Sequence, residues 1–413
     1  MKRKLFKTMF SVALAVCLMG NTVSASELGI TETEEVSEFE IEDSAVETVD
    51  VSAGDAAQEH AVEEYTVEEY TEEVPVEGAA TGLTYTVEGD TVTITGEGEC
   101  WTYGSEIKKA IDNAKNVVFR DCKIRGSMKY AFSSCDNLQQ GIDMSGLDTA
   151  DVTSMESLFS SCINLQNLNL SGLNTSNVTN MSNMFSGCMN LKSLDLRDFD
   201  TSKVKNMYGM FERCRSLTSL NLDGFDTSQV TDMGNMFHEC IALTDLNING
   251  FNTAKVAGTD MDGMFYCCSS LTSLDLSSFD TSNITTVYTL FGGCSKLTYL
   301  DLSSFDLSKI PADDFGLQTM LTACPLQEIR TPKILPAGCS ILLGHDYRTP
   351  VGAITDTLTP EFAGTTLTLY IPVDEQFTDV PTGAWYVSAV QYAYDNGIMT
   401  GKTATNFAPN ANL

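Results

Sequence analysis

The chain has 413 residues, and its 56 acidic side chains outnumber its 24 basic ones to leave a net charge of −32. That length admits two or three domains. A chain this acidic, with no basic patch interleaved with aromatics, repels nucleic acid and anionic lipid, because both are held by Lys and Arg against phosphate.

Residues 1–25 read as a secretory signal peptide. Lys2, Arg3, Lys4 and Lys7 form a positive start, Thr8 to Gly20 a short apolar core, and Val23-Ser24-Ala25 a small-residue cleavage site. The core is shorter than the roughly 20 residues that span a bilayer, and no later segment is apolar enough for a transmembrane span. Leu14-Ala15-Val16-Cys17 faintly resembles a lipobox, with Val16 where a small residue is expected. Residues 26–81 read as a disordered acidic linker, since residues 26–80 alone hold 19 acids and no Lys or Arg. Such a stretch repels itself and has too little apolar surface to offset the entropy of ordering. It serves as a solvated spacer or as a lure for cationic partners.

Order is expected from Gly82. Thr84-Tyr85-Thr86-Val87 and Thr91-Val92-Thr93-Ile94 alternate around Glu88-Gly89-Asp90, a β-hairpin pattern, and Val117-Val118-Phe119 reads as a third strand. Residues 82–134 are therefore expected to form an N-terminal β cap. From Cys135 a single unit recurs, with C-x-x-L-x-x-L-x-L-x-x-F-[DN]-T-S-x-V-x-x-M-x-x-M-F-x-x as its template. It restarts at Cys162, Cys188, Cys214, Cys240, Cys268, Cys294 and, in part, Cys324. A period of about 20–29 residues with L-x-x-L-x-L is the leucine-rich-repeat signature. Leu191, Leu194 and Leu196 point inward from a short strand; Val204, Met207, Met210 and Phe211 recur at the spacing of a helical or 3₁₀ turn. The fold class follows: a repeat solenoid, a right-handed leucine-rich-repeat coil over residues 135–324, with short parallel β-strands on its concave face, short helical or 3₁₀ return arms and β caps at both ends. Residues 325–376, with Pro332, Pro336, Pro350 and Pro360 and an apolar strand from Thr366 to Ile371, are the C-terminal cap.

Three columns arise from the period. Eight cysteines share one inward position, which reads as a ladder of small buried side chains. Neighbours are close enough in space for disulfides, but each would have two equivalent partners. Persistent free thiols on an exported protein would point to an anaerobic habitat. A second column, Asp143, Asn169, Asp195, Asn221, Asn247, Asp275 and Asp301, lies between inward leucines and faces out from the strands. It is either a solvated polar face or a ligand strip preferring cationic or hydroxyl-rich partners, with a shared cation at Asp275 and Asp301 as a minor alternative. The third, Asp148, Asn174, Asp200, Asp226, Asn252, Asp280 and Asp306, is mostly followed by Thr-Ser or Thr-Ala and reads as turn-forming. No catalytic set, cofactor motif or metal-ligand spacing is found, and His60, His238 and His345 are scattered.

The array resembles the BspA-like leucine-rich-repeat surface proteins, most closely at Ser273-Leu274-Asp275-Leu276-Ser277-Ser278-Phe279-Asp280-Thr281-Ser282. The resemblance implies cell-surface exposure, adhesion to proteins or other cells, and no catalysis. Residues 377–413 resemble the opening of an S-layer homology (SLH) domain, through Phe377-Thr378-Asp379-Val380, Trp385-Tyr386, Asn396-Gly397-Ile398-Met399-Thr400-Gly401 and Phe407-Ala408-Pro409. The family continues with a T-R-A-[EQ] segment and usually works as three copies; here part of one copy is present. The resemblance implies binding to secondary polysaccharide of a Gram-positive-type wall, with Asp379, Trp385, Tyr386, Gly397 and Gly401 as wall-binding candidates.

The expected function is that of a secreted, non-enzymatic cell-surface binding or adhesion module tethered to the wall. The alternative is a structural stalk or surface-layer component without a ligand of its own. Candidate ligand contacts on the concave face are Asp195, Asn221, Asn247, Asp275, Tyr299 and Asp301, with Ser193, Ser219, Ser273 and the loop residue Tyr208 beside them. The expected partners are a host or bacterial surface protein or glycan, and wall polysaccharide through the tail.

Overall fold

A computed structural model describes residues 82–138, 142–371, 373–376, 380, 382–383 and 387–395, all within one compact unit. The signal-peptide and acidic-linker expectations lie outside the described residues, as do Asp379, Trp385, Tyr386, Gly397 and Gly401.

The N-terminal cap begins with strands β1 (Leu83–Glu88) and β2 (Thr91–Glu99), paired antiparallel so that Glu88 faces Thr91 across a two-residue turn. Gly89 sits in that turn at φ +58, a conformation glycine adopts without penalty. Helix α1 (Glu106–Asn113) follows, where no helix was expected from the sequence. The Ser105 hydroxyl caps it by accepting from the Lys108 amide, and Ile107 and Ile111 are its buried stripe. Strand β3 (Asn116–Ser127) then lies parallel to β2, which makes β2–α1–β3 a crossover unit. It runs well beyond the three residues anticipated, because it also pairs with the first coil through β4 (Ile142–Asp143) and β5 (Leu147–Ser154).

The coils stack through three repeated devices. Seven phenylalanines, Phe132, Phe159, Phe185, Phe211, Phe237, Phe265 and Phe291, are buried and stacked ring on ring, with centroids 5.5–5.8 Å apart and planes within 12° of parallel. Trp101 closes the column: its ring meets Phe132 edge-on at 5.5 Å, and its indole N–H donates to the Ala131 carbonyl at 2.8 Å. Buried threonines form a second column. The hydroxyls of Thr149, Thr175, Thr201, Thr227, Thr253 and Thr281 each donate to a carbonyl of the following coil at 2.8–3.1 Å. All but Thr201 also accept from the amide of that same residue at 2.7–2.8 Å. Each such hydroxyl thus satisfies both backbone groups of one residue in its neighbour.

The return arms are the third device. Their residues form overlapping turns closed by i+3 bonds, as Met184 to Met181, Ser186 to Asn183 and Cys188 to Phe185. This is 3₁₀-type bonding, but a left-handed residue interrupts it every four positions, as at Asn183, Gly187, Gly209, Arg213, Asn235 and Glu239, so no helix propagates. The interruption frees alternate amides to bond the next coil. Met181, Asn183, Phe185 and Gly187 donate to the carbonyls of Asn206, Tyr208, Met210 and Glu212 at 2.7–2.9 Å. Every second amide bonds across and the others bond within, leaving the buried backbone satisfied. Gly209 sits close under the neighbouring coil: a Cβ there would stand 2.3 Å from the Asn183 side-chain oxygen, which would have to shift.

The strand face is less continuous than the arm ladder. Within the array, β6 (Ser219–Asn221) pairs parallel with β7 (Asp245–Asn247), and β8 (Tyr299–Asp301) with β9 (Glu328–Arg330). Between α2 (Phe315–Thr319) and the tail, the C-terminal cap extends this face as an antiparallel sheet. It uses β10 (Ile341–Arg348), β11 (Ile354–Leu358) and β12 (Thr366–Leu369), in the order β11-β10-β12-β9-β8. Beyond the cap, α3 (Val373–Gln376) and α4 (Val387–Asp395) meet where the Gln376 amide donates to the Tyr394 hydroxyl at 2.8 Å. Buried Val380 packs there with Val387, Val390 and Tyr394. No helix of the described residues is long and apolar enough to cross a membrane.

Candidate ligand-binding faces of the repeat array

The outward Asx column stands on the strand face, and each of its side chains bonds its own turn. The Oδ1 atoms of Asp143, Asn169, Asp195, Asn221, Asn247, Asp275 and Asp301 accept from the amide two residues on, at 2.8–3.3 Å. These are Asx-turns, in which a short side chain caps a bend. Part of the hydrogen-bonding capacity that a ligand would use is spent on the fold. The third column does the same at 2.9–3.0 Å from Asp148 to Asp306, as its composition suggested. Asn180, Asn206 and Asp232 add a further set at the start of the arms, which the sequence reading missed.

Within the strand column the electrostatics differ coil by coil. Asp195 chelates the Arg197 guanidinium, which with the Arg197 amide holds its carboxyl at about 2. Asp301 is partly buried, which raises its pKa, but bonds from Ser303 and from Arg330 at 2.9 Å outweigh this and lower it. Asn247 donates to the Asp223 carboxylate at 2.7 Å. Tyr299 leaves about a third of its surface exposed beside Asp301. The strand face is shallow: beside Arg197 and Asn221 lies a dimple of only about 20 Å³. Among the described residues no group of three or more His, Cys, Asp or Glu is placed to hold a metal ion.

A larger, open recess of about 240 Å³ lies on the arm side. Tyr208, Asp232, Gly234, Asn235, Thr259, Asp260 and Asp262 line it. Thr259 and Asp260 belong to the coil that runs 28 residues from Cys240 to Cys268, two more than its neighbours. Tyr208 is fixed there because its hydroxyl accepts from the Asn235 amide at 2.8 Å and its ring lies over Gly234, whose missing side chain makes room. Burial and the nearby Asp314 and Asp260 push the Asp262 carboxyl up to about 6, against a bond from the Tyr288 amide. Asp232 and Asp260 are raised as well, chiefly by burial. Exposed Tyr288 and Phe315 continue this side, their rings 6.0 Å apart. His238, by contrast, is wedged between Glu212 and Glu239 at 3.7–3.8 Å, and burial holds its pKa down.

The cysteine column is buried throughout, and its members are free thiols. Seven of them, from Cys162 to Cys324, place the sulfur 2.9–3.2 Å from the carbonyl of the phenylalanine in the preceding coil. The thiol donates there, and the same carbonyl takes the amide bond that closes the arm, as Phe185 does from Cys188. Burial raises the pKa of the Cys214 and Cys268 thiols, and pushes those of Cys188 and Cys240 up to about 12.

Residues 126–221 and 216–320 match the model of the family described as Mycoplasma protein of unknown function, DUF285, and residues 376–413 match the S-layer homology domain. No curated protein matches the chain. Among solved structures, the TLR13 chain of a TLR13–ssRNA13 complex is 15% identical over 56% of this chain and 46% of its own, with a TM-score of 0.21. A leucine-rich-repeat protein of Leptospira interrogans is 15% identical over 56% of this chain and 76% of its own, with a TM-score of 0.20. The chain thus spans less than half the length of the TLR13 chain. The SLH match associates the chain with the cell surface and wall. Over residues 126–320 the stacked coils are thus of the DUF285, BspA-like leucine-rich-repeat kind, and an S-layer homology match follows them at residues 376–413.

Proposed function

We propose that the chain is exported, held at the wall through its SLH tail, and uses the repeat array as an adhesion surface for a protein or glycan of a host or another cell. One observation carries this reading: partly exposed tyrosines, Tyr299 on the strand face and Tyr208 at the arm recess, stand among carboxylates, amides and hydroxyls on rigid coils. Aromatic anchors surrounded by polar groups are where interfaces concentrate their binding energy. The shallow strand face suits an extended macromolecule better than a small molecule, which needs a pocket of about 300 Å³ or more. Asp195, Asn221, Asn247, Asp275 and Asp301 then act as a polar rim, already oriented by their turns. The repeat and SLH modules are of binding and structural kinds, and we infer no catalytic role for the array.

The test is binding of the chain to whole bacterial cells and to immobilised extracellular proteins, beside Tyr208→Ala, Tyr299→Ala and the double variant. We expect saturable binding that weakens about tenfold or more in the double variant, in line with about 2 kcal/mol for one anchoring aromatic. Binding unchanged in all three would remove these tyrosines from the account. Absence of any saturable binding would favour the spacer role, which the self-bonded Asx column also accommodates.

A further inference from the structure

We propose that the cysteine column makes the array a redox-gated fold: the coils close only around reduced thiols, and a chain that meets a disulfide oxidant before it has folded is trapped. Three observations support this. The column's thiols are buried, at 5% exposure or less, so an oxidant cannot reach them in the folded chain. Seven of them donate their hydrogen to a phenylalanine carbonyl one coil back, so loss of that hydrogen removes a repeated contact between coils. The position recurs eight times at nearly equal spacing, so pairing in the unfolded chain has no preferred register. Eight cysteines admit on the order of a hundred complete pairings.

The chemistry balances with a low-molecular-weight disulfide as the oxidant. A thiolate of the unfolded chain attacks one sulfur of the small disulfide, forming a mixed disulfide and expelling one small thiolate. A second chain thiolate then attacks the mixed disulfide, forming an intrachain S–S bond and expelling the second small thiolate. Two chain thiols are oxidised and one small disulfide is reduced to two thiols. A bridge between Cys188 and Cys214, for example, consumes the hydrogens that bond Phe159 and Phe185. A bridge between distant coils prevents stacking altogether. Folding therefore protects the column by excluding the oxidant, and at Cys188, Cys214, Cys240 and Cys268 burial also disfavours the thiolate. Together with the export proposed above, the gate confines display of this protein to reducing, anoxic surroundings.

The experiment uses the full chain, purified with reductant in the absence of oxygen. One sample is exposed folded to oxidised glutathione; a second is unfolded in guanidinium, exposed to the same reagent and diluted. A maleimide-coupled polymer, added after denaturation, counts remaining thiols by gel shift, and circular dichroism with protease resistance reports the fold. We expect the folded sample to keep its eight column thiols and its fold. We expect the sample oxidised while unfolded to recover less than a tenth of the native signal, and dithiothreitol to restore it. A variant with Cys17, Cys100, Cys122, Cys267 and Cys339 changed to Ala should behave identically. Refolding of the oxidised chain without reductant overturns the proposal, as does thiol loss in the folded sample as fast as in the unfolded one. Disappearance of the trap in the five-alanine variant overturns it as well, by placing the sensitivity outside the column.

Discussion

Replacing Thr227 by valine isolates one contact between coils. The two side chains have nearly the same shape, so packing is retained while the hydroxyl is lost. In the native protein that hydroxyl donates to the Asn252 carbonyl at 3.1 Å and accepts from the Asn252 amide at 2.7 Å, at a position 1% exposed. Valine leaves a buried donor and a buried acceptor without partners, each costing about 1–3 kcal/mol. Allowing for partial relaxation, the pair should cost about 2–4 kcal/mol. In a stack where each coil touches only its neighbours, the loss falls on the junction between those two coils. Native-state hydrogen exchange should therefore show protection of the Asn252 amide falling by roughly one to three orders of magnitude, at about 1.4 kcal/mol per tenfold. Amides of the N-terminal cap should change far less, and Thr227→Ser should restore protection. A valine variant within about 0.5 kcal/mol of wild type, with Asn252 exchange unchanged, would refute the claim that these hydroxyls hold the coils together.

Other consequences follow from the same geometry. Asp262→Asn keeps the acceptor for the Tyr288 amide but removes a carboxylate that burial has raised to about 6. A carboxyl whose folded pKa exceeds its unfolded value of about 4 destabilises the fold when ionised, so wild type should gain stability as pH falls from about 6 to 4. The variant should be more stable at pH 7, by under about 1 kcal/mol since the group is partly solvated, with the difference vanishing near pH 4 in thermal melts. Cys214→Ala removes one thiol bond and opens a small void, and should lower stability by about 1–2 kcal/mol in denaturant titrations. Trp101→Ala uncaps the phenylalanine stack and frees the Ala131 carbonyl; it should cost about 3–5 kcal/mol, and hydrogen exchange should show the loss concentrated in β3 and the first coils.

The repeat and its inward pattern were legible because a fixed period multiplies a weak signal. Leu191, Leu194 and Leu196, the phenylalanine column and the cysteine column are all buried as their spacing implied. The arms were ambiguous for a physical reason: apolar residues three and four apart suit a helical turn and a chain of overlapping β-turns equally well. What separates the two is the left-handed residue, which falls on Asn183, Gly209 and Asn235 but also on Arg213 and Glu239, whose types do not announce it. The strand column illustrates a second limit. That Asp195 and Asn221 face outward follows from strand alternation. That they bond their own turns depends on the bend after Leu196 and Leu222, which alternation does not describe. The arm recess was out of reach, because Tyr208 and Asp262 lie two coils apart in sequence and meet only through the stack. Helix α1 could have been suspected from Ser105 ahead of Ile107 and Ile111 at a spacing of four.

The array is proposed to bind a partner while the tail holds the wall. The direct measurement incubates the chain, and the chain ending at residue 375, with purified Gram-positive cell wall, extracellular-matrix proteins and whole bacterial cells, and reads bound fraction against concentration. Both forms should bind a protein or cell partner saturably with the same midpoint, and only the form with the tail should be retained by wall. Retention by wall alone, lost entirely with the tail, would contradict this and leave the array as a spacer.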